Sequence, residues 1–220
     1  MALKRPAMLV EGRAKSEIAL YSQRMWSKGF VANHDGNLSA RVSEDRVVCT
    51  PTATSKADVD ERSLVVTDAS GAQVSGAKKP FGELNIHLAV YRSRSDVAAV
   101  VHAHPPYATA LGVSGRELAC FLPEAVVSLG QRVPLVPLAA PGAAALGAIE
   151  PWLAKYDAVL VQGNGVWAWG ADVEQAFLRL ELVEHLATIA HHAIQWGGPQ
   201  PLPQEMTNAL LEARKKVFGR

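Results

Sequence analysis

The chain has 220 residues, 49% hydrophobic and 20% charged, with a formal net charge of +1. That length suits one folded unit with a real core. The near-balanced, scattered charge shows neither a basic stripe for nucleic acid nor a polybasic tail for an anionic membrane. No apolar run approaches the ~20 residues that cross a bilayer, and the start MALKRPAMLVEGRAK lacks a continuous apolar signal core. Cys49 and Cys120 stand alone in apolar surroundings, without CxxC or zinc-knuckle spacing. The simplest reading is a reduced, cytoplasmic protein with a small-molecule partner, no nucleic acid and no membrane.

Taken in chain order, Ser16 to Gly29 reads as an amphipathic helix, with Ile18, Leu20, Tyr21, Met25 and Trp26 at helical spacing. Val31 to Arg41 reads as a loop containing NHDGN. Arg46 to Thr50 is strand-like and closed by Pro51, and Leu64 to Val74 reads as a hairpin turning at Asp68–Gly71. Pro80-Phe81-Gly82 leads into a helix starting near Glu83. Val97 to Val101 is an apolar strand running into His102-Ala103-His104-Pro105-Pro106, where the proline pair suits a strand end and the first turn of a new helix.

Further on, Val133 to Leu138 suits an edge strand because of its two prolines, and Ala143 to Leu153 reads as a helix. Ala158 to Val161 and Val166 to Trp169 are buried strands joined by a GNG turn. Asp172 and Gln175 make a capping box for a long helix to about Gln195. After Gly197-Gly198-Pro199 a short amphipathic helix remains. The expected architecture is one α/β domain over residues 1–220 with a mixed sheet and a helical tail from about 199. Neither a G-x-G-x-x-G nor a Walker P-loop is present to support nucleotide binding.

The strongest chemical signal is VVHAHPP. Residues two apart on a strand share a side, so His102 and His104 project together and can grip one divalent ion; hydrogen-bonded core histidines are the competing reading of a bare HxH. Glu83, at a helix start, could ligate a metal, act as a general base beside a carbonyl, or simply help cap its helix. His87, one turn on, shares its face and reads as a supporting residue or as a packed helix histidine. The loops His34 to Ser39 and Thr50 to Lys56 could offer donors to an anion or could be plain turns.

The ordered set GNLSAR, TPTATSK, Pro-x-x-Glu, HAHPPYATAL, strand–GxG–strand and long helix, spanning roughly Ser16 to Gln195, resembles the class II aldolase/adducin family. Its members include fuculose-phosphate and rhamnulose-phosphate aldolases, ribulose-phosphate 4-epimerase, a methylthioribulose-phosphate dehydratase, decarboxylases and the non-catalytic adducin head domain. The resemblance implies a three-layer αβα sandwich around a mixed, largely antiparallel sheet, and a homotetramer with active sites at subunit boundaries. By residue, it implies Glu83 as the catalytic acid/base and His102, His104 and Asn164 as metal positions. Asn37, Ser39, Thr52 and Gly82 become substrate contacts.

Three departures from the pattern matter. Asn164 stands where the family carries a third histidine, so zinc is the first expectation, with Mn2+, Co2+ or Mg2+ as alternatives. Phe81-Gly82 replaces a serine pair that helps bind phosphate. No tyrosine occurs in the tail, and Glu124 lies near the position of an earlier one. The implied activity is a metal-dependent lyase breaking or forming a carbon–carbon bond through an enediolate in a small hydroxy-carbonyl or sugar(-phosphate) compound. The alternatives are an adducin-like self-association domain, or an epimerase, dehydratase or decarboxylase built on the same site.

Overall fold

Side-chain alternation along short strands sets the centre of the molecule. The computed structural model describes residues 9–219; the first eight residues, within the stretch read for a signal core, lie outside them. Its strands are β1 (Asn37–Ser43), β2 (Arg46–Cys49), β3 (Val65–Thr67), β4 (Gln73–Ser75), β5 (Ala99–Ala103), β6 (Leu118–Ala119), β7 (Arg132–Val133), β8 (Leu135–Val136), β9 (Ala158–Val161) and β10 (Val166–Gly170). Eight of them form one sheet in the order β4-β3-β2-β1-β5-β10-β9-β8, while β6 and β7 pair separately. Every neighbouring pair in the main sheet is antiparallel except β8 with β9. The expected mixed, largely antiparallel sheet is therefore present.

The helices are α1 (Glu11–Ser27), α2 (Leu84–Ser93), α3 (Pro106–Val113), α4 (Pro123–Leu129), α5 (Ala143–Leu153), α6 (Val173–Ala193) and α7 (Gln204–Phe218). Two apolar clusters separate by strand parity. Leu38, Ala40, Val48, Val101, Val166 and Ala168 face α1 and α6. The alternate positions, Val47, Cys49, Val65, Val100, Val159, Trp167 and Trp169, face α2 and α5. Residues i and i+2 share a sheet face, so both faces are covered and the three-layer sandwich follows. No helix of the described residues is long and apolar enough to cross a membrane.

Several boundaries differ from the sequence reading. Helix α1 begins at Glu11 rather than Ser16, and of its apolar set Leu20 and Trp26 are exposed while Ile18, Tyr21 and Met25 are buried. Residues 37–41 form the first five of the seven residues of β1 rather than the end of a loop. They looked like loop because Asn37 and Ser39 occupy the face that apolar residues normally fill, and both are buried there. The HxH strand runs two residues later than expected, so His102 lies within it. Pro134 divides the Val133 to Leu138 stretch between two sheets, as a missing N–H requires. Helix α4 was not legible at all. At α6 the Asp172 carboxylate caps the Gln175 N–H at 2.7 Å, but Gln175 Oε1 reaches back to the Ala171 N–H, not that of Asp172.

A buried ion cluster ties the tail to the sheet. Asp157, entering β9, has no exposed surface and meets Arg94 at 2.9 Å, Arg179 at 3.4 Å and Arg214 of α7. Arg214 also donates to the Val127 and Ser128 carbonyls at the end of α4. Removing the Asp157 charge takes a shared buried counter-charge from three arginines, although Arg94 keeps Asp96 at 2.7 Å. Asp157→Asn should therefore cost about 3–5 kcal/mol in urea titration and lower Tm by roughly 10 °C, with α7 becoming the first segment cut in limited proteolysis.

Candidate functional site

The centre of the site is a strand register. Asn37 of β1 and Trp167 of β10 both lie directly across from His102 of β5, on the α2 side of the sheet. The Trp167 indole stacks on the His102 ring, with centroids 4.1 Å apart and planes 15° from parallel. His104 follows just past the strand end, where its N–H donates to the Phe30 carbonyl at 3.0 Å and Pro105 stops further pairing. The two rings lie 5.0 Å apart. Two glycines let the flanking turns close on this strand end. Gly36 (φ 71°) and Gly165 (φ 65°) occupy the left-handed region. A Cβ on Gly165 would run into the Ala103 carbonyl oxygen and the His104 ring, and one on Gly36 into Val31.

Glu83 completes the cluster from the start of α2. It stands at the N-cap but makes no capping bond with its side chain. Its carboxylate is instead held by two amides: Asn37 Nδ2 donates to Oε2 at 3.0 Å, and Asn164 Nδ2 donates to Oε1 at 2.9 Å. His102 Nε2 lies 3.6 Å from Oε2. Burial alone would raise the Glu83 pKa, but His102 and the two amide donors hold it below the ordinary carboxylate range. Burial pushes His102 down to about 4, with Glu83 only partly opposing the shift. The pair is thus an ionised carboxylate beside a neutral imidazole near neutral pH.

The ring tautomers follow from their partners. His102 Nδ1 donates to the Val166 carbonyl at 3.0 Å, leaving Nε2 bare. His104 Nδ1 donates to Asp35 Oδ2 at 3.0 Å, and Asp35 Oδ1 accepts the Ala32 N–H at 2.6 Å. His104 Nε2 then faces Asn164 Oδ1 at 3.1 Å. The amide cannot turn over to relieve this, since its nitrogen is held by Glu83. Two lone pairs so placed suit a cation shared between them. Among the described residues no three His, Cys, Asp or Glu side chains gather as a metal cluster by themselves; the convergent set is completed by an amide. Two Nε2 atoms with their opposite nitrogens tied, one amide oxygen and an adjacent carboxylate fit a divalent cation in donor type and orientation.

The sequence-derived candidates thus divide. Glu83, His102, His104 and Asn164 come together, with Asn37 against Glu83. Ser39, expected to contact substrate, is placed elsewhere: it has 0% exposure, and its hydroxyl sits between His87 Nδ1 (2.6 Å) and the Tyr91 hydroxyl (2.7 Å). The Asn37 side chain likewise points inward. Thr52 is exposed, its N–H bound to the Lys79 carbonyl, and Ala53 beside it holds a positive φ of 50°. Gly82 is exposed with open space around its α-carbon, and Phe81 turns inward against the His87 ring at 4.8 Å. The sequence did not single out Asp35, whose loop reads either as donors for an anion or as a plain turn; a carboxylate shortly before a strand was the available signal.

Residues 16–191 match the family described as Class II Aldolase and Adducin N-terminal domain. The chain is 30% identical over 200 residues to a 5-deoxy-D-ribulose 1-phosphate aldolase of Bacillus thuringiensis, covering 89% of this chain and 93% of that protein. A 3-oxo-tetronate 4-phosphate decarboxylase of Pectobacterium atrosepticum is 31% identical over 185 residues, covering 81% and 84%. Among solved structures, an L-fuculose 1-phosphate aldolase superposes with a TM-score of 0.85 at 27% identity, covering 94% of this chain and 98% of that one.

Asp35 fixes His104 by a carboxylate–imidazole bond of the kind that orients metal-binding histidines. Asp35→Asn should weaken binding of Zn2+ or Mn2+ by about 10- to 100-fold in calorimetric titration while leaving the fold intact by circular dichroism. Unchanged affinity would show that Asp35 plays no part in holding the donor set.

Proposed function

The chain belongs to the class II aldolase and adducin N-terminal domain family, and as an enzyme of that family, an aldolase or decarboxylase, we propose that it cleaves a small hydroxy-carbonyl or sugar-phosphate substrate next to the carbonyl carbon with a bound divalent ion. One observation carries this reading: the Glu83 carboxylate, held by an amide from Asn164, lies 3.6 Å from His102 Nε2, while the Asn164 oxygen faces His104 Nε2. A self-association domain has no need of a carboxylate fixed through both oxygens.

His102 Nε2, His104 Nε2 and Asn164 Oδ1 are the atoms that would hold the ion, Zn2+ first and Mn2+, Co2+ or Mg2+ as alternatives. When bound it supplies Lewis-acid stabilisation of negative charge on the substrate oxygens. Glu83 handles the proton. In the bond-forming direction it removes hydrogen from the carbon beside the carbonyl, and the alkoxide formed on the aldehyde carbon takes up a proton; in cleavage the β-hydroxyl gives up its proton as the carbon–carbon bond breaks, and Glu83, having taken up one proton, delivers one to the carbon beside the carbonyl. Decarboxylation differs in that CO2 departs without giving up a proton, so the proton that Glu83 delivers to the carbon is drawn from solvent. A single arrangement thus accounts for a family whose named members include both aldolases and a decarboxylase. Asn37 and Asn164 orient the carboxylate and restrain its basicity.

The substrate's anionic end is assigned to the exposed side of the α2 start, near Gly82 and Thr52. The lost serine pair is offset there by Lys78, whose ammonium lies 2.9 Å from the Thr54 hydroxyl on the neighbouring loop. The assembly proposed is a homotetramer with sites at subunit boundaries, supported by exposed apolar residues such as Trp196 (83%) and Ile194 (64%). The compartment proposed is the cytoplasm, supported by two buried cysteines without a disulfide. All of residues 1–220 are assigned to one working domain, in keeping with the docking of α7 on Asp157.

The test uses metal-loaded protein with L-fuculose 1-phosphate, 5-deoxy-D-ribulose 1-phosphate and 3-oxo-tetronate 4-phosphate, reading aldehyde or CO2 release. Turnover of at least one is expected, and Glu83→Gln should reduce it by about 10²–10⁴-fold with metal affinity retained. His102→Ala or His104→Ala should abolish binding of the ion. Full activity in Glu83→Gln would end the assignment. Asn164→His should tighten Zn2+ binding, since imidazole is the better zinc donor; weaker binding would mean that Asn164 does not face the ion.

A further inference from the structure

Behind Glu83 a chain of hydrogen bonds runs through the interior between α2 and the sheet. It links Asn37 to His87 (2.8 Å), His87 to Ser39 (2.6 Å) and Ser39 to Tyr91 (2.7 Å). His87 and Ser39 have no exposed surface, and Asn37 and Tyr91 are almost fully buried. Glu83, His87 and Tyr91 recur every fourth residue along one helix face. The chain is embedded in the apolar layer formed by Phe81, Val100, Trp167 and their neighbours. A buried polar string of this length is costly unless every member is satisfied.

The direction of each bond follows from the carboxylate. Asn37 presents its Nδ2 to Glu83 Oε2 at 3.0 Å and its Oδ1 to His87 Nε2 at 2.8 Å. That oxygen can only accept, so His87 carries its proton on Nε2. Burial keeps the imidazole neutral, so Nδ1 is bare and Ser39 donates to it. With its only hydrogen used, the Ser39 hydroxyl must accept from Tyr91, whose phenol burial holds in the protonated form. Every donor therefore points towards Glu83. The string does not carry protons, because Asn37 interrupts it: an amide accepts at oxygen and donates at nitrogen, and passing a proton between them would require an imidate form.

We propose that His87 is a positioning residue for Glu83: seated by Ser39 and Tyr91, it fixes the Asn37 amide so that this amide always offers a donor to the Glu83 carboxylate. Without that lock, Asn37 could turn its oxygen towards Glu83, repelling the carboxylate from its position beside His102. The proposal rests on Glu83 being the base. It assigns the polar half of β1 a function that substrate contact would not give.

Two substitutions separate this role from mere packing. A glutamine side chain places its amide nitrogen near the position of imidazole Nε2, whereas asparagine reaches only the position of Nδ1. His87→Gln should keep the bond to Asn37, and His87→Asn should lose it while keeping the Ser39 bond. Long-range 15N–1H NMR of the wild-type protein should show His87 as the Nε2–H tautomer, with the Asn37 side-chain amide protected from solvent exchange. Protection should persist in His87→Gln and vanish in His87→Asn. On whichever of the three substrates above turns over, His87→Asn should lower kcat about 10²-fold at unchanged KM, and His87→Gln should stay near the parent. An Nδ1–H tautomer, or equal amide protection in both variants, would overturn the proposal. Failure of all three substrates would count against the activity reading alone, since the NMR readouts need no turnover.

Discussion

The carboxylate of Glu83 is held through both oxygens by amides from opposite sides, and the rest of the site is arranged around that fact. Asn37 comes from β1 and Asn164 from the turn before β10, strands that flank β5 on its two edges. A one-residue slip of either strand would turn its alternating side chains to the other face, taking the β1 amide from Glu83 or Trp167 from His102. The apolar alternation that covers the sheet on both sides is therefore also what fixes the site's geometry. The same parity that sends Leu38 and Ala40 towards α1 and α6 sends Asn37 and Ser39 towards α2.

Much of this was legible. Alternating or continuous apolar runs identified most strands of the sheet, and the HxH spacing with its proline stop located His102 and His104 at a strand end. The resemblance placed Glu83 and Asn164 beside them, and the coordinates bring the four together. What could not be read was the use of polar residues as interior parts. Asn37 and Ser39 in a run of small and polar residues look like surface, because burial of a hydroxyl or amide depends on partners contributed by α2, some 50 positions downstream by the bonds formed. His87 was legible as sharing the Glu83 face, but a tyrosine at helical spacing such as Tyr91 reads as an apolar position, which its ring is and its hydroxyl is not. Helix α4 carried too few periodic positions in its seven residues to stand out.

The departure at Asn164 has a physical counterpart on the other side of the cluster. An amide oxygen is a weaker zinc donor than imidazole and carries no extra charge. Asp35 accepts the Nδ1–H of His104 and so strengthens Nε2 as a donor. The two residues meet at one ring, Asp35 at Nδ1 and Asn164 at Nε2. Under the proposed assignment, loss of donor strength at Asn164 would be met by a gain at His104.

Asn164 also does something a histidine there could not. Its nitrogen donates to Glu83 while its oxygen faces His104, so one side chain joins the proposed base to the proposed donor set. Imidazole ring nitrogens lie farther apart in angle than the two arms of an amide, and a neutral ring that donated one nitrogen to Glu83 would aim the other away from His104. The amide therefore favours a carboxylate kept close to the cluster and ionised, at the expense of affinity for a soft metal. In a cluster built this way, Glu83 is restrained by Asn164 at one oxygen and by Asn37 at the other, and its position is set by how firmly those two amides are themselves held. Gly165 fixes the first by bringing its turn against His104, and the buried string from Tyr91 fixes the second.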